Sequence, residues 1–483
     1  MPVIFQIIEI IFMKRKILSG KDLIKLGYPE NKSIGLAINI VLRHFRRSTK
    51  EEINQMLISV LKDPKAYVAD PLWSPVALAL MPSEKKNMQH DLLKNRIDYR
   101  TYGAHGIEAG AVNQMEIAMK LPVTVAGALM PDAHQGYGLP IGGVLATRNA
   151  VIPYGVGVDI GCRMALTAYP LGEVFLSRNW SNLKKMLVDN TCFGNETFDR
   201  PKDHEVLSRK EFNEIPFLRS LHGKAARQIG SSGSGNHFVE FGLITLKENN
   251  EWRLSPGSYI AVLSHSGSRG LGAEVARHFT RLAKELCHLP SEAANLAWLD
   301  LSTEAGHDYW QAMNLAGDYA SANHDQIHKR IADALGERPM LKVENHHNFA
   351  WKELLADGTE VVVHRKGATP AGEGVLGIIP GSMTAPGFIV KGRGSSDSLN
   401  SASHGAGRLM SRSAAKSTIT NKMVRQELER AGVELIGGGL DEAPMAYKDI
   451  HQVMAGQDDL VEVLGEFTPK IVRMCGDNSP SED

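Results

Sequence analysis

A carboxylate and a thiol stand three positions apart in Val158-Asp159-Ile160-Gly161-Cys162-Arg163, on a loop that follows the glycine-rich stretch Pro153-Tyr154-Gly155-Val156-Gly157. Asp159 and Cys162 could converge on one cation, and the thiolate is the better ligand of the two for a borderline metal. Alone the pair is weak evidence, because burial as a small apolar side chain is the commoner fate of a cysteine. Three histidines lie in loops of the same texture: His237 in Gly233-Ser234-Gly235-Asn236-His237-Phe238, His265 in Ser264-His265-Ser266-Gly267-Ser268-Arg269-Gly270, and His347 in Asn345-His346-His347-Asn348. Each imidazole sits beside small residues that leave room for a ligand, although a hydrogen-bonded loop histidine explains any one of them about as well. Taken together the five residues supply one carboxylate, one thiolate and three imidazoles. That is enough for two cations sharing the sulfur.

A nucleophile is legible in Ser401-Ala402-Ser403-His404-Gly405-Ala406-Gly407-Arg408-Leu409-Met410-Ser411-Arg412. A helix beginning here would line Arg408 and Arg412 up one and two turns behind His404. A neutral imidazole nitrogen can attack phosphorus, and the two guanidiniums can neutralise the charge that develops on the phosphate oxygens. The start of the helix expected over Leu271 to Leu286, with Arg269 ahead of it, offers backbone N–H groups as a further phosphate site. The chain contains no Gly-x-x-x-x-Gly-Lys-Ser/Thr, His-Glu-x-x-His or Lys-Asp-Gly motif, so nucleotide handling must use another device.

These groups need a scaffold of strands and tight turns. Val123 to Met130, Val144 to Thr147, Met164 to Tyr169, Tyr259 to Ser264, Glu360 to Val363 and Phe388 to Val390 read as strands, and Ala273 to Leu286 and His307 to Leu335 as helices. Glycine is dense from Gly127 to Gly161 and from Gly372 to Gly394, which implies tight turns or backbone that approaches a ligand closely. The expected fold class is α+β, with mixed sheets and surrounding helices. The 54 Lys+Arg balance the 54 Asp+Glu, so a nucleic-acid partner would have to be held by a local patch. Four cysteines in 483 residues give no disulfide framework, which makes a reducing, cytoplasmic setting the default.

Before residue 97 the pattern is helical and poor in chemistry. Thr49 and Glu52 form a capping box ahead of Ile53, Met56, Leu57, Val60 and Leu61 on one helix face, and a second helix is expected from Ser33 as N-cap through Val41. The cluster around His44-Phe45-Arg46-Arg47 reads as a solvated helix end or as an RNA contact. The apolar opening Met1 to Phe12 is too short to span a bilayer and lacks a cleavage signature, so it reads as a short strand or a misassigned start. The expected organisation is a small helical N-terminal extension over residues 1–96 and a catalytic body over residues 97–483.

Pro131-Asp132-Ala133-His134-Gln135-Gly136, Val158 to Cys162, Gly235 to Phe238, His265 to Gly270, His346-His347-Asn348, Pro380-Gly381-Ser382-Met383, Ser403 to Arg408 and Met445-Ala446-Tyr447-Lys448-Asp449 occur in the order seen in RtcB-type RNA ligases. The resemblance runs from about Gly103 to the C-terminus. It implies an RtcB-like fold and a GTP- and Mn²⁺-dependent ligase for tRNA splicing or RNA repair. Such a ligase joins an RNA 2′,3′-cyclic phosphate or 3′-phosphate end to a 5′-hydroxyl end through a histidine–GMP intermediate. By resemblance Asp159, Cys162, His237, His265 and His347 are the ligands of two Mn²⁺ ions, and His404 is the guanylylated histidine. Asn236, Arg269, Arg408 and Arg412 match positions that hold phosphate or nucleotide, and Glu240, Ser382 and Tyr447 match guanosine contacts. Ligand types alone suit Zn²⁺ at least as well as Mn²⁺, so the choice of Mn²⁺ comes from the resemblance. The chain departs from the family in carrying Gly387 where many members have serine, in a tail Val472-Arg473-Met474-Cys475-Gly476 that lacks the usual Val-Lys-Gly, and in its N-terminal extension. Two other readings stay open: a paralogue that guanylylates or trims 3′-phosphate ends without joining them, and a non-catalytic binder of RNA ends.

Overall fold

The computed structural model describes residues 18–29, 32–45, 48–68, 70–81, 88–248 and 250–476. The opening stretch Met1 to Phe12 and the side chains of Arg46 and Arg47 lie outside them. The chain forms two compact units divided at residues 86/87. The first contains α1 (Gly20–Leu26), α2 (Lys32–His44), α3 (Lys50–Lys62) and α4 (Ser74–Leu80). The expected capping box is present: Thr49 N–H donates to Glu52 Oε2 at 2.8 Å and Glu52 N–H returns to Thr49 Oγ1 at 3.3 Å. Behind that cap Ile53, Leu57 and Val60 are buried with Leu23, Val41, Trp73 and Val76. Ser33 does not cap α2. It lies inside the helix, buried.

The second unit is built on two sheets. Besides two short pairs, Met88–Gln89 with Cys287–His288 and Ala150–Val151 with Leu299–Asp300, its strands in chain order are β1 (Arg100–Thr101), β2 (Thr124–His134), β3 (Ile141–Thr147), β4 (Arg163–Ala168), β5 (Phe238–Leu246), β6 (Gly257–Ser266), β7 (Leu341–His346), β8 (Asn348–Leu354), β9 (Glu360–Lys366), β10 (Ala368–Pro370), β11 (Leu376–Ile379), β12 (Gly387–Gly392), β13 (Ser401–Ser403), β14 (Glu434–Gly438) and β15 (Val461–Gly476). The larger sheet runs β7-β4-β6-β5-β15-β12-β11 with β14 beside β15, and the smaller runs β8-β9-β3-β2-β1. β10 and β13 form a separate antiparallel pair. The fold is thus α+β with mixed sheets. In β6 alternate residues serve opposite cores: Ile260 and Val262 pack with Phe241, Leu187 and Ile331, while Ala261 and Leu263 pack with Leu166, Ile389 and Phe467. Covering both faces explains why these strands read as unbroken apolar runs, and each such buried side chain stabilises the sheet by about 1.5–3 kcal/mol.

Four helices flank the site: α5 (Pro216–Gln228), α6 (Arg269–Leu286), α7 (Glu304–Leu335) and α8 (Arg412–Thr418). Thr303 caps α7 by accepting from Gly306 N–H, and Gly336 ends it at φ 72°. The expected helix through His404, Arg408 and Arg412 is not formed. Strand β13 runs to Ser403, the chain loops through Gly405 and Gly407, and α8 begins only at Arg412. Gly407 sits at φ 71°, and a Cβ there would lie 2.1 Å from the Asp132 carbonyl oxygen, so the loop can press against β2 only as glycine. No helix among the described residues is long and apolar enough to cross a membrane.

Candidate metal and nucleotide site

One residue links a strand of each sheet directly. β7 of the larger sheet ends at His346 and β8 of the smaller begins at Asn348, so His347 is the joint between them. Its N–H donates to the Cys162 carbonyl at 3.0 Å, and Gly161 N–H donates to the Asn348 carbonyl at 2.7 Å, which ties the Asp159–Cys162 turn to that joint. In the register of the larger sheet His265 of β6 lies opposite Met164 of β4 on one side and Phe238 of β5 on the other. This brings Cys162, His237 and His265 to the same end. Helix α7 fixes the loop before β5: Asn323 accepts from Gly230 N–H at 2.6 Å and donates to the Ser231 carbonyl at 2.8 Å.

The five side chains converge as the sequence implies. Cys162 Sγ is 3.1 Å from His265 Nε2 and 3.5 Å from His237 Nε2. His265 Nε2 is 3.2 Å from His347 Nε2, and His237 Nε2 is 3.1 Å from Asp159 Oδ2. Two groups of ligand atoms result, Cys162-His265-His347 and Asp159-Cys162-His237, each with its atoms within 4.8 Å of one another, and the sulfur belongs to both.

Hydrogen bonds decide which nitrogens carry protons. His237 Nδ1 faces the Ser232 carbonyl at 2.7 Å and His265 Nδ1 faces the Asn236 carbonyl at 3.2 Å. A carbonyl only accepts, so both protons sit on Nδ1 and both Nε2 lone pairs point into the cluster, toward a sulfur and a carboxylate oxygen. Lone pairs crowded in this way repel unless a cation lies among them, so the donor set fits a pair of divalent metal ions. Burial, then the charge of His237 and His404, pushes the His265 imidazole down to about 3. Burial, followed by His404 and His265, likewise holds His347 well below the usual histidine range. His265 and His347 are therefore neutral near neutral pH, as ligation requires. Asp159 is also held by Ser268 N–H at 3.1 Å, and a Cβ on Gly267 would lie 2.1 Å from Asp159 Oδ2, so this approach requires glycine.

His404 follows β13 and its ring centroid lies 5.0 Å from that of His347. Its Nδ1–H donates to Asp132 Oδ2 at 2.7 Å, and its backbone N–H reaches the same oxygen at 3.1 Å. Nε2 thereby keeps its lone pair free for attack. Asp132, fully buried in β2, lies within the Pro131–Gly136 motif, where it had been assigned no role. The two arginines converge on Asp441 and Glu442. Arg408 donates to the Asp441 carbonyl at 2.6 Å and to Glu442 Oε2 at 3.4 Å, and its guanidinium lies over the Tyr447 ring at 5.2 Å. Arg412 pairs with Glu442 and with Asp441 Oδ2 at 3.2 Å, and Tyr447 O–H donates to Glu442. Glu442 was also missed; its only signal was its place just upstream of Tyr447.

Asp159, Cys162, Asn236, Glu240, His265, His347, Ser382, His404, Arg408, Arg412 and Tyr447 all line one cavity of about 1050 Å³. His237 and Arg269 lie buried outside that lining. Arg269 occupies a left-handed backbone conformation at φ 55° and donates Nε–H to Ser231 Oγ at 3.1 Å and Nη2–H to the Gly194 carbonyl at 2.6 Å. At the start of α6, Ser268 N–H is engaged by Asp159 and Gly270 N–H by Gln228 Oε1 at 3.1 Å, so these donors hold protein rather than an open anion site. Burial raises the Glu240 carboxyl well above the usual carboxylate range. Lys366, also in the cavity wall, is pushed down to about 7 by burial. Gly387 and Met474 line the cavity, whereas Cys475 packs into the core with Phe241.

Comparison with known proteins gives a consistent result. The family model described as tRNA-splicing ligase RtcB matches residues 114–219 and 216–474. The RNA-splicing ligase RtcB1 of Escherichia coli is 35% identical over 390 residues, covering 74% of this chain and 92% of that protein. The tRNA-splicing ligase RtcB of Thermococcus kodakarensis is 31% identical over 420 residues, covering 72% and 86%. The RNA-splicing ligase RtcB homolog 2 of Entamoeba dispar is 30% identical over 420 residues, covering 72% and 79%.

Proposed function

The chain belongs to the RtcB family and is an RNA ligase, and from that premise we propose that it joins an RNA 2′,3′-cyclic phosphate or 3′-phosphate end to a 5′-hydroxyl end, using GTP and two Mn²⁺ ions, in tRNA splicing or RNA repair. The observation that carries the reading is the shared Cys162 sulfur beside a histidine whose Nδ1 is pinned by Asp132. Asp159, Cys162 and His237 would hold one ion and Cys162, His265 and His347 the other. Bound there, the ions supply positive charge to the phosphate oxygens of the nucleotide.

The protein's own residues supply the rest. His404 Nε2 attacks the α-phosphorus of GTP, the N–P bond forms and pyrophosphate leaves. The imidazole becomes cationic as it does so, and Asp132, accepting from Nδ1–H, stabilises that charge. Arg408 and Arg412 are poised to exchange part of their pairing with Glu442 for phosphate oxygens. An oxygen of the RNA 3′-phosphate then attacks the same phosphorus, His404 leaves, and the RNA end carries GMP through a new P–O–P bond. Finally the 5′-hydroxyl attacks the RNA phosphorus, its proton is lost, and GMP departs as the phosphodiester forms. A cyclic end must first take up water to open to the 3′-phosphate. Asn236 would contact the nucleotide phosphates and Glu240, Ser382 and Tyr447 the guanosine, with Arg269 holding the loop behind them. Residues 97–483 form the catalytic body in this reading, residues 1–96 an accessory, and the four free cysteines suit a cytoplasmic setting.

The test is joining itself. An oligonucleotide ending in 3′-phosphate and a second starting with 5′-hydroxyl should give a product of summed length that requires both GTP and Mn²⁺. A 3′ end that acquires GMP but is never joined would favour the paralogue that processes ends, and RNA binding without any covalent change would favour a non-catalytic binder.

A further inference from the structure

One wall of the cavity carries groups that the ligation chemistry leaves unused. Tyr137 and Tyr154 stand there with ring centroids 6.2 Å apart, and Tyr137 is 69% exposed. Lys366 braces the pair: its Nζ donates to the Tyr137 carbonyl at 2.7 Å and lies 5.0 Å from the Tyr154 ring centroid. Tyr154, Val158 and Arg277 also border a second depression of about 420 Å³, so it is continuous with the cavity along that edge. Its far wall is one face of α6, where Arg277, Arg281 and Lys284 follow at helical spacing. The three span about 10 Å along the helix, a reach of two or three phosphates at roughly 3.4 Å or more per step.

The charge on this wall is lopsided. Among the described residues lining the depression, Glu285 is the one acid against three exposed cations. Arg277 pairs with Glu274 at 2.7 Å at the helix surface, and Lys284 donates to Asn295 Oδ1 at 2.7 Å. Such surface pairs contribute little and yield readily to a phosphate. A chain with no net charge must hold a polyanion by a local feature of this kind.

We propose that this groove is the channel by which a single RNA strand enters the cavity, its phosphates on Arg277, Arg281 and Lys284 and its bases stacked on Tyr154 and Tyr137. The inference rests on the RNA-ligase reading and adds to it the path of the strand. Accessible rings, here the exposed Tyr137 and the half-buried Tyr154, beside a basic row are the combination that binds single strands without regard to sequence, because every base has a π face while the cations follow the backbone. A duplex would keep its bases stacked inside and leave the tyrosines without a partner.

The test is direct binding of a fluorescein-labelled single-stranded RNA with 3′-phosphate, followed by anisotropy across a salt series without GTP or metal. Combined Arg277→Ala, Arg281→Ala and Lys284→Ala should weaken binding and reduce the slope of log affinity against log salt by about 2, from roughly 0.7 per phosphate lost. Tyr154→Ala should weaken binding roughly ten-fold at unchanged slope, with Tyr154→Phe restoring it, since stacking needs the ring and not the hydroxyl. All variants are compared at matched melting temperature. Wild-type affinity and slope in the triple variant, in a protein that still joins RNA, overturn the groove and leave the ligase. A wild-type protein that binds this RNA yet joins nothing, with binding lost in the variants, removes the joining reading and keeps the groove.

Discussion

Asp132→Asn isolates the contribution of charge to the nucleophile. The substitution preserves shape in a fully buried position of β2, so no cavity opens. Asp132 Oδ2 accepts from both His404 Nδ1–H, at 2.7 Å, and His404 N–H, at 3.1 Å. An asparagine oxygen can still accept, but without a negative charge to answer the imidazolium that forms as the N–P bond closes. A hydrogen bond to a charged group is worth about 1.5–3 kcal/mol. Because most of that appears only as the ring becomes cationic, the rate of GMP attachment should fall roughly 10- to 150-fold. The assay is a single-turnover reaction with labelled GTP, quenched and read as protein-bound label, alongside elemental analysis of the same preparation. Metal content should not change, since no contact joins Asp132 to the five ligands. Labelling within two-fold of wild type, or metal lost in proportion to label, would refute the positioning role.

Other consequences follow from the same geometry. Cys162→Ala should lose more metal than His237→Ala or His347→Ala, because only the sulfur belongs to both ligand groups; elemental analysis finding a histidine variant equally depleted would remove the shared ligand. Burial pushes His328 and His364 down to about 3 and about 4, and both regain an ordinary value near 6.5 on unfolding. Between about pH 6.5 and pH 4 the unfolded chain then binds more protons than the folded one, so denaturation midpoints should hold above pH 7 and fall as pH drops. Each histidine contributes up to about 1.4 kcal/mol per pH unit, and stability that is flat or rising toward pH 5 would contradict the burial. Removing residues 1–86, which form their own compact unit, should leave GMP labelling near wild type while lowering RNA affinity and its salt dependence if the basic stretch from Arg43 touches RNA; unchanged RNA affinity assigns that unit a structural or partner-binding task.

The parts of the site legible in the sequence were those encoded within a few residues. Asp159, Cys162 and His237 stand in glycine- or serine-rich turns beside strands, His265 near the end of β6 just before such a turn, and His347 in a run of Asn and His between two strands; these are local signatures, and strand register then brings them together. His404 was legible for the same reason. Asp132 and Glu442 received no role because the arginine and histidine partners that define theirs are distant: 272 positions separate Asp132 from His404, and 30 separate Glu442 from Arg412. The helix expected through His404 failed because helical spacing of two arginines says nothing about the backbone between them, where Gly407 is left-handed. Arg269 shows the converse limit. Its place before a helix implied an outward anion site, yet the guanidinium turns inward to Ser231 and Gly194 and braces the loop that carries His237. Strands β5 and β7 were not anticipated either, since their polar residues Glu240 and Asn345 break the apolar run, and only the finished sheet shows Glu240 facing the cavity and Asn345 bonding to Thr369 of β10.

The central claim is that His404 carries GMP on the way to joined RNA. It is tested most directly by pulse and chase. The protein is incubated with labelled GTP and Mn²⁺, freed of nucleotide, and mapped by peptide mass, then mixed with RNA bearing a 3′-phosphate and RNA bearing a 5′-hydroxyl. The account predicts one acid-labile GMP on the peptide containing His404, its loss on chase in step with the appearance of joined RNA, and no adduct in His404→Ala. An adduct on another residue, an adduct that persists in His404→Ala, or joined RNA formed while the label stays on the protein would contradict it.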